Sequence, residues 1–209
     1  IAKNVIGIYF YSNYAQSDYG GAVYINSKCG DVNFINSTFL SNYANAGDGG
    51  AIYSDSGSTN LNFYNCAFTG NFANGGETRR FGGAVRCCGN VNVYDSPFRN
   101  NWAENLGGAI YASTVNHVEN SVFLFNHVKK GDGGAIYINN AGTSTISKTY
   151  FQDNEAKERG GAIYTDSLRI ALNLNNNAFI SNKANKGTDV FNSGSYNIDG
   201  NWWDTNSPS

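Results

Sequence analysis

Residues able to do chemistry are sparse in this 209-residue chain, and their spacing limits what they can do. Cleaving a polysaccharide requires two or three carboxylates gathered on one face, or carboxylate-bound calcium beside a basic residue. The 16 acidic residues are instead scattered. Asp55 and Asp166 each stand six residues after the start of a Gly-Gly-Ala, but Cys88, Ser113 and Asn139 hold that place in the units between them. Asp48 and Asp132 share the place before Gly-Gly and are separated by Phe81 and Leu106. Neither pair falls in adjacent units, so the sequence predicts no enzyme, with convergence from different places in the unit left open.

The sharpest recognition candidate is aromatic. Four residues after the first Gly of each unit stand Tyr24, Tyr53, Arg86, Tyr111, Tyr137, Tyr164 and Phe191. Arg86 argues that this column faces solvent, where aromatic faces suit the apolar side of a sugar ring or a protein partner and phenols add hydrogen bonds. The alternative is that stacked tyrosines only cover the sheet and join neighbouring units. Arg79 and Arg80 lie in the longest inter-repeat spacing, 33 residues, and such insertions form loops that can contact an acidic glycan or partner. Trp202 and Trp203 read as a pair closing the end of the core; Trp102 reads as a cover or a sugar platform.

Other groups offer less. His117 and His127 occupy different columns without thiol or carboxylate spacing for zinc. Asp199-Gly200-Asn201 with Asp204 is oxygen-rich enough for calcium but reads more simply as a solvated turn, so neither metal nor cofactor is expected. Cys29, Cys66, Cys87 and Cys88 allow three pairings; strand alternation turns Cys87 inward and Cys88 outward, against a bridge between them. Gly-Gly-Ala lacks the Lys-Ser or Lys-Thr of a phosphate cradle.

These groups must be positioned by a repeat. Gly-Gly-Ala begins at Gly20, Gly49, Gly82, Gly107, Gly133 and Gly160, with a degenerate copy at Gly187. Phe-x-x-Asn-x-Ala alternates with it from Phe10, Phe39, Phe68, Phe98, Phe123, Phe151 and Phe179, only the fifth copy changing its Ala to Val128. Short runs such as Val91-Asn92-Val93-Tyr94, rich in β-branched and aromatic residues and broken by Gly, Asn and Ser, are strands. Identical positions recurring on short strands predict an all-β, single-stranded parallel β-helix of about seven turns over 1–186, with a last turn and closing segment at 187–209; that it is right-handed follows from general chain chirality and from the resemblance named below.

Columns then sort by character. Val5, Phe34, Phe63, Val93, Val118, Ile146 and Leu174 stack inward; the residues just before each Phe, Tyr9 to Ala178, share no character and face out. Asn13, Asn42, Asn71, Asn101, Asn126, Asn154 and Asn182 form a structural ladder in which each amide bonds its counterpart. A second ladder, Asn36, Asn65, Asp95, Asn120, Lys148 and Asn176, is expected nearer solvent.

Composition agrees with a folded chain rather than a disordered one: 33 Asn, 25 Gly, 14 Tyr and 13 Phe but two Pro. Net charge is −2, which removes the basic footprint of a nucleic-acid binder, and no apolar run is long enough to insert in a membrane. Starting at Ile1 and lacking Met, the chain reads as a monomeric piece of a larger multidomain protein.

Alternating Gly-Gly-Ala-Ile and Phe-x-x-Asn resembles the repeats of chlamydial polymorphic outer-membrane proteins. The fuller pattern, with Asn201-Trp202-Trp203-Asp204-Thr205-Asn206-Ser207-Pro208 at the end, is similar to adhesin-like surface proteins of methanogenic archaea, although Asp204 stands where Gly is expected. The resemblance implies a cell-surface, extracellular adhesin that binds a glycan or protein of another cell without catalysis, and it carries over no catalytic residue. Two rivals remain: a polysaccharide lyase or hydrolase, and a spacer for some other binding domain.

Overall fold

The computed structural model describes residues 2–26, 29–55, 57, 59–74 and 80–204. Among them every regular element is a β-strand. One coil shows the plan: Ile136–Ile138 and Gly142–Ser147 join the first sheet, Tyr150–Gln152 the second and Glu155–Ala156 the third. Pairing is parallel and joins each strand to its equivalent one coil away, Phe123 opposite Phe151 and Ile136 opposite Ile163. Three sheets of 13, 8 and 6 strands thus wrap a solenoid of about seven turns.

Each corner has a backbone cause. Asn36, Asn65, Asp95, Asn120, Lys148 and Asn176 turn the chain from the first sheet to the second with φ between 49° and 56°. Asn and Asp tolerate this left-handed region because their short polar side chains bond locally. The solvent-side ladder is therefore first a corner, with Asn65 Nδ2 donating to Asn36 Oδ1 at 2.9 Å. Ser12, Ser41, Gly70, Asn100, Phe125, Asp153 and Ser181 make the second corner in the same region.

The third corner explains Gly-Gly. Gly133 has φ 70°, and a Cβ on Gly134 would lie 2.0 Å from the Gly161 carbonyl oxygen of the next coil. The first glycine supplies the conformation, the second the close approach.

Inside, the stacked columns expected from the repeat form one core. Phe34, Phe63, Val93, Val118, Ile146 and Leu174 are at most 1% exposed, with only Val5 of the first coil half-buried. The motif phenylalanines stack from Phe10 to Phe179 at 4.4 to 5.1 Å between ring centres. Tyr9, just before the first of them, is 61% exposed, as its outward column requires.

The asparagine ladder runs unbroken from Asn13 to Asn182, each Nδ2 donating to the next Oδ1 at 2.8 to 3.0 Å. From Asn42 onward, each Nδ2 also donates to a phenylalanine carbonyl one coil back, such as Asn126 to Phe98 at 3.0 Å. Each Oδ1 accepts the previous ladder residue's backbone N–H as well, such as Asn101 N–H to Asn126 at 3.1 Å. Buried amides are thereby satisfied on both sides, which removes the penalty of leaving them dry and unpaired.

A second internal ladder escaped the sequence reading. Two residues before each Phe stand Ser37, Cys66, Ser96, Ser121, Thr149 and Asn177, and backbone N–H groups bond the next side chain along the rod, as Ser96 to Ser121 Oγ at 3.1 Å and Thr149 to Asn177 Oδ1 at 3.0 Å. Their types vary, which hid the column. Asn201 closes it by accepting from Asn177 at 2.9 Å.

The closing segment supplies such partners. Asp189 takes the place of the motif Ala and accepts from Asn182 Nδ2 at 2.9 Å, ending the asparagine ladder. Trp203 stacks on Phe179 at 4.3 Å, whereas Trp202 is 54% exposed, so one tryptophan rather than a pair covers the core. Asp204 accepts from Ser181. Asn201 and Asp204 of the oxygen-rich turn therefore serve the cap. Residues 205–209 of that segment lie outside the described residues.

Candidate functional site

Alternation on the first sheet points the tyrosine column away from the main core, but only its beginning meets solvent. Tyr24 is 50% exposed and donates to Asp55 Oδ2 at 2.7 Å, and Tyr53 is half-buried. Tyr111, Tyr137 and Tyr164 are only 5%, 4% and 1% exposed, which corrects the expectation of an open aromatic face. The reason is the third corner: Phe81 and Leu106 fold over the column and make with it a second, smaller hydrophobic cluster that Phe191 completes. The ring faces are also used by one another. Tyr111 and Tyr137 stack at 4.8 Å with planes 7° apart, leaving edges and hydroxyls rather than faces for a ligand.

Arg86, in the same column, lies over Tyr111 at 4.3 Å and beside Asp48 at 3.8 Å. It is largely covered, so it indicates the column's outward turn without being a free cation. Arg80 is half-buried and its backbone N–H donates to Asn105 Oδ1 at 2.9 Å. Arg79 and most of its insertion, residues 75–79, lie outside the described residues. Trp102 belongs to a different stripe, on the third sheet, where Tyr14, Tyr43, Phe72 and Trp102 stack edge-outward at 4.1 to 5.2 Å.

A concavity of about 290 Å³ opens where the third corner meets the first sheet, lined by Phe81, Asn105, Leu106, Asp132, Tyr137, Arg159 and Asp166 among others. Here carboxylates from two different columns converge, a juxtaposition that stacking within columns did not provide. Asp132 is buried and takes both Nε and Nη2 of Arg159, at 3.0 and 2.8 Å. Asp166 is exposed and accepts the Tyr164 hydroxyl at 3.1 Å. Burial, then the neighbouring Asp166, pushes the Tyr164 phenol up to about 12, and Tyr137 is shifted upward for the same reasons. Both phenols are thus protonated donors at neutral pH.

The remaining groups fall elsewhere. His117 is exposed, while His127 continues the third-sheet stripe beside Trp102 and lies 3.8 Å from Glu155. Cys87 is buried and Cys88 half-buried, as alternation required, and all four cysteines are free thiols. Burial pushes the Cys87 thiol up to about 12, which suppresses its thiolate. Among the described residues no group of three or more His, Cys, Asp and Glu is arranged to hold a metal ion.

Coil geometry, sheet order and corner glycines together define a parallel β-solenoid, and a family model described as the right handed beta helix region matches residues 20–203. The chain belongs to that family. It is also 34% identical over 104 residues to the probable outer membrane protein pmp15 of Chlamydia pneumoniae, covering 43% of this chain and 11% of that protein. The chain therefore spans about a tenth of the length of this curated relative. No solved structure matches.

Proposed function

We propose that this β-helix is a surface-displayed, non-catalytic recognition domain that binds a glycan or protein of another cell. The observation that carries this reading is the concavity at the third corner, where donors, acceptors and apolar walls meet on an otherwise regular rod. Likeness to a protein named as an outer membrane protein supports placement at a cell surface.

The same geometry speaks for binding rather than bond cleavage. General acid–base work favours groups that titrate near the working pH. In the concavity Asp132 is engaged by the Arg159 fork, so Asp166 has no second free carboxylate there to serve as its acid or base partner. Many weak contacts presented in copies on one surface would give avidity without a single tight site.

The test is a multimerised domain applied to a glycan array and to whole cells, with reducing-end release measured on the same glycans. Retention on cells or glycans without product supports the reading. Product release would establish the lyase or hydrolase instead, and absence of retention would leave the spacer role.

A further inference from the structure

From the donor and acceptor pattern of the corner concavity we infer that it holds one neutral or amino pyranose unit, rather than an acidic sugar. This deepens the recognition reading and rests on it for its biological use.

Charge argues first. Asp132 and Arg159 neutralise each other through two parallel hydrogen bonds, leaving Asp166 as the uncompensated charge lining the site. A ligand carboxylate would meet that negative charge while the Arg159 fork is already engaged. Hydrogen-bond capacity argues next. A guanidinium has five N–H donors. Two of those on Arg159 go to Asp132, so the others remain for an acceptor. Asp166 takes the Tyr164 hydroxyl and keeps lone pairs for a donor. An amino group on the ring would serve Asp166 while a neighbouring hydroxyl serves Arg159. Sugar hydroxyls both donate and accept, so a vicinal pair can serve both side chains together.

Shape agrees. The space, about 290 Å³, is at the small end of ligand sites and fits a single ring rather than a long segment. Phe81 and Leu106 provide an apolar wall for the C–H side of that ring, and the Tyr164 hydroxyl holds the Asp166 carboxylate.

The experiment uses saturation-transfer NMR and calorimetry with the methyl glycosides of glucose, galactose and mannose, alongside glucuronate and glucosamine. Proteins would be the parent chain, Asp166→Ala, and Asp55→Ala, the last replacing the equivalent residue of a distant coil. At least one neutral glycoside or glucosamine should bind at least tenfold more tightly than glucuronate. Asp166→Ala should weaken it at least tenfold with unchanged circular dichroism, and Asp55→Ala should not. Equal or tighter binding of glucuronate, no binding by any neutral glycoside or glucosamine, or full binding by Asp166→Ala would overturn the inference. Cell attachment measured in parallel separates the two claims: attachment without pocket binding overturns the inference alone, while pocket binding without attachment, or with attachment kept by an Asp166→Ala that has lost it, overturns only the adhesion use of the pocket.

Discussion

Two kinds of residue in this chain are held in states their chemistry opposes. Asp48 and Asp189 are buried carboxyls whose pKa is raised, burial outweighing the Phe81 N–H and Arg86 beside Asp48, and the Asn182 amide on Asp189. An unfolded Asp titrates near ~3.9. Each folded carboxyl therefore holds its proton to higher pH, and the stability this contributes is complete below that value and lost as pH rises through the folded pKa. Half-buried Asp31 works oppositely: the Asn60 backbone and side-chain amides lower its pKa, so its contribution fades as pH falls. The melting temperature should consequently rise as the pH falls through the folded pKa of these carboxyls toward the unfolded value. Asp189→Asn keeps the acceptor for Asn182, raises stability at neutral pH and flattens that slope; an unchanged slope in thermal melts would refute the assignment. Phe125 is the second kind. It is 52% exposed with φ 54° in a corner otherwise built from Ser, Gly, Asn and Asp. Phe125→Asn should stabilise by about 1 kcal/mol in denaturant titrations, because a bulky side chain in the left-handed region is strained.

At the scale of the coil, sequence legibility followed uniformity. The inward Phe and aliphatic columns, the asparagine ladder and the corner glycines carry the same residue type in almost every unit, and each stands where the repeat put it. The hydroxyl ladder was hidden because Ser, Cys, Thr and Asn do one job with four side chains; a run of small polar residues two before each Phe was the available signal. The concavity was less legible still. Its walls come from the residue before Gly-Gly, which is Phe81, Leu106, Asp132 and Arg159 in successive coils, so no single column announces it. Burial of Tyr137 and Tyr164 depends on that same mixed column, since strand alternation reports direction from the core and not what folds over the outside. The coil's tightest requirement lies at Gly134. A Cβ there would also come within 2.7 Å of Glu155 backbone atoms, so Gly134→Ala should lower stability by about 3 kcal/mol or more, readable as a shifted denaturation midpoint. A midpoint near that of the parent would show that the corner can open.

Over the whole molecule, each coil touches mainly the coils beside it, so stability is a sum of neighbouring interfaces. The C-terminal side is finished by Trp203, Asp189 and Asn201, while strands Lys3–Ile6 and Tyr9–Tyr11 lie at the other extreme of their sheets. In both internal ladders the bonds run lengthwise, each side chain or N–H of one coil reaching the next. A pull applied at the two termini therefore loads these interfaces in series, one after another. The protein should behave as a mechanical fuse: single-molecule stretching should give a sawtooth in which each tooth releases one coil, about 28 residues or roughly 95 Å of extended chain, so that a cell tethered through this rod would yield to shear in steps before its grip failed.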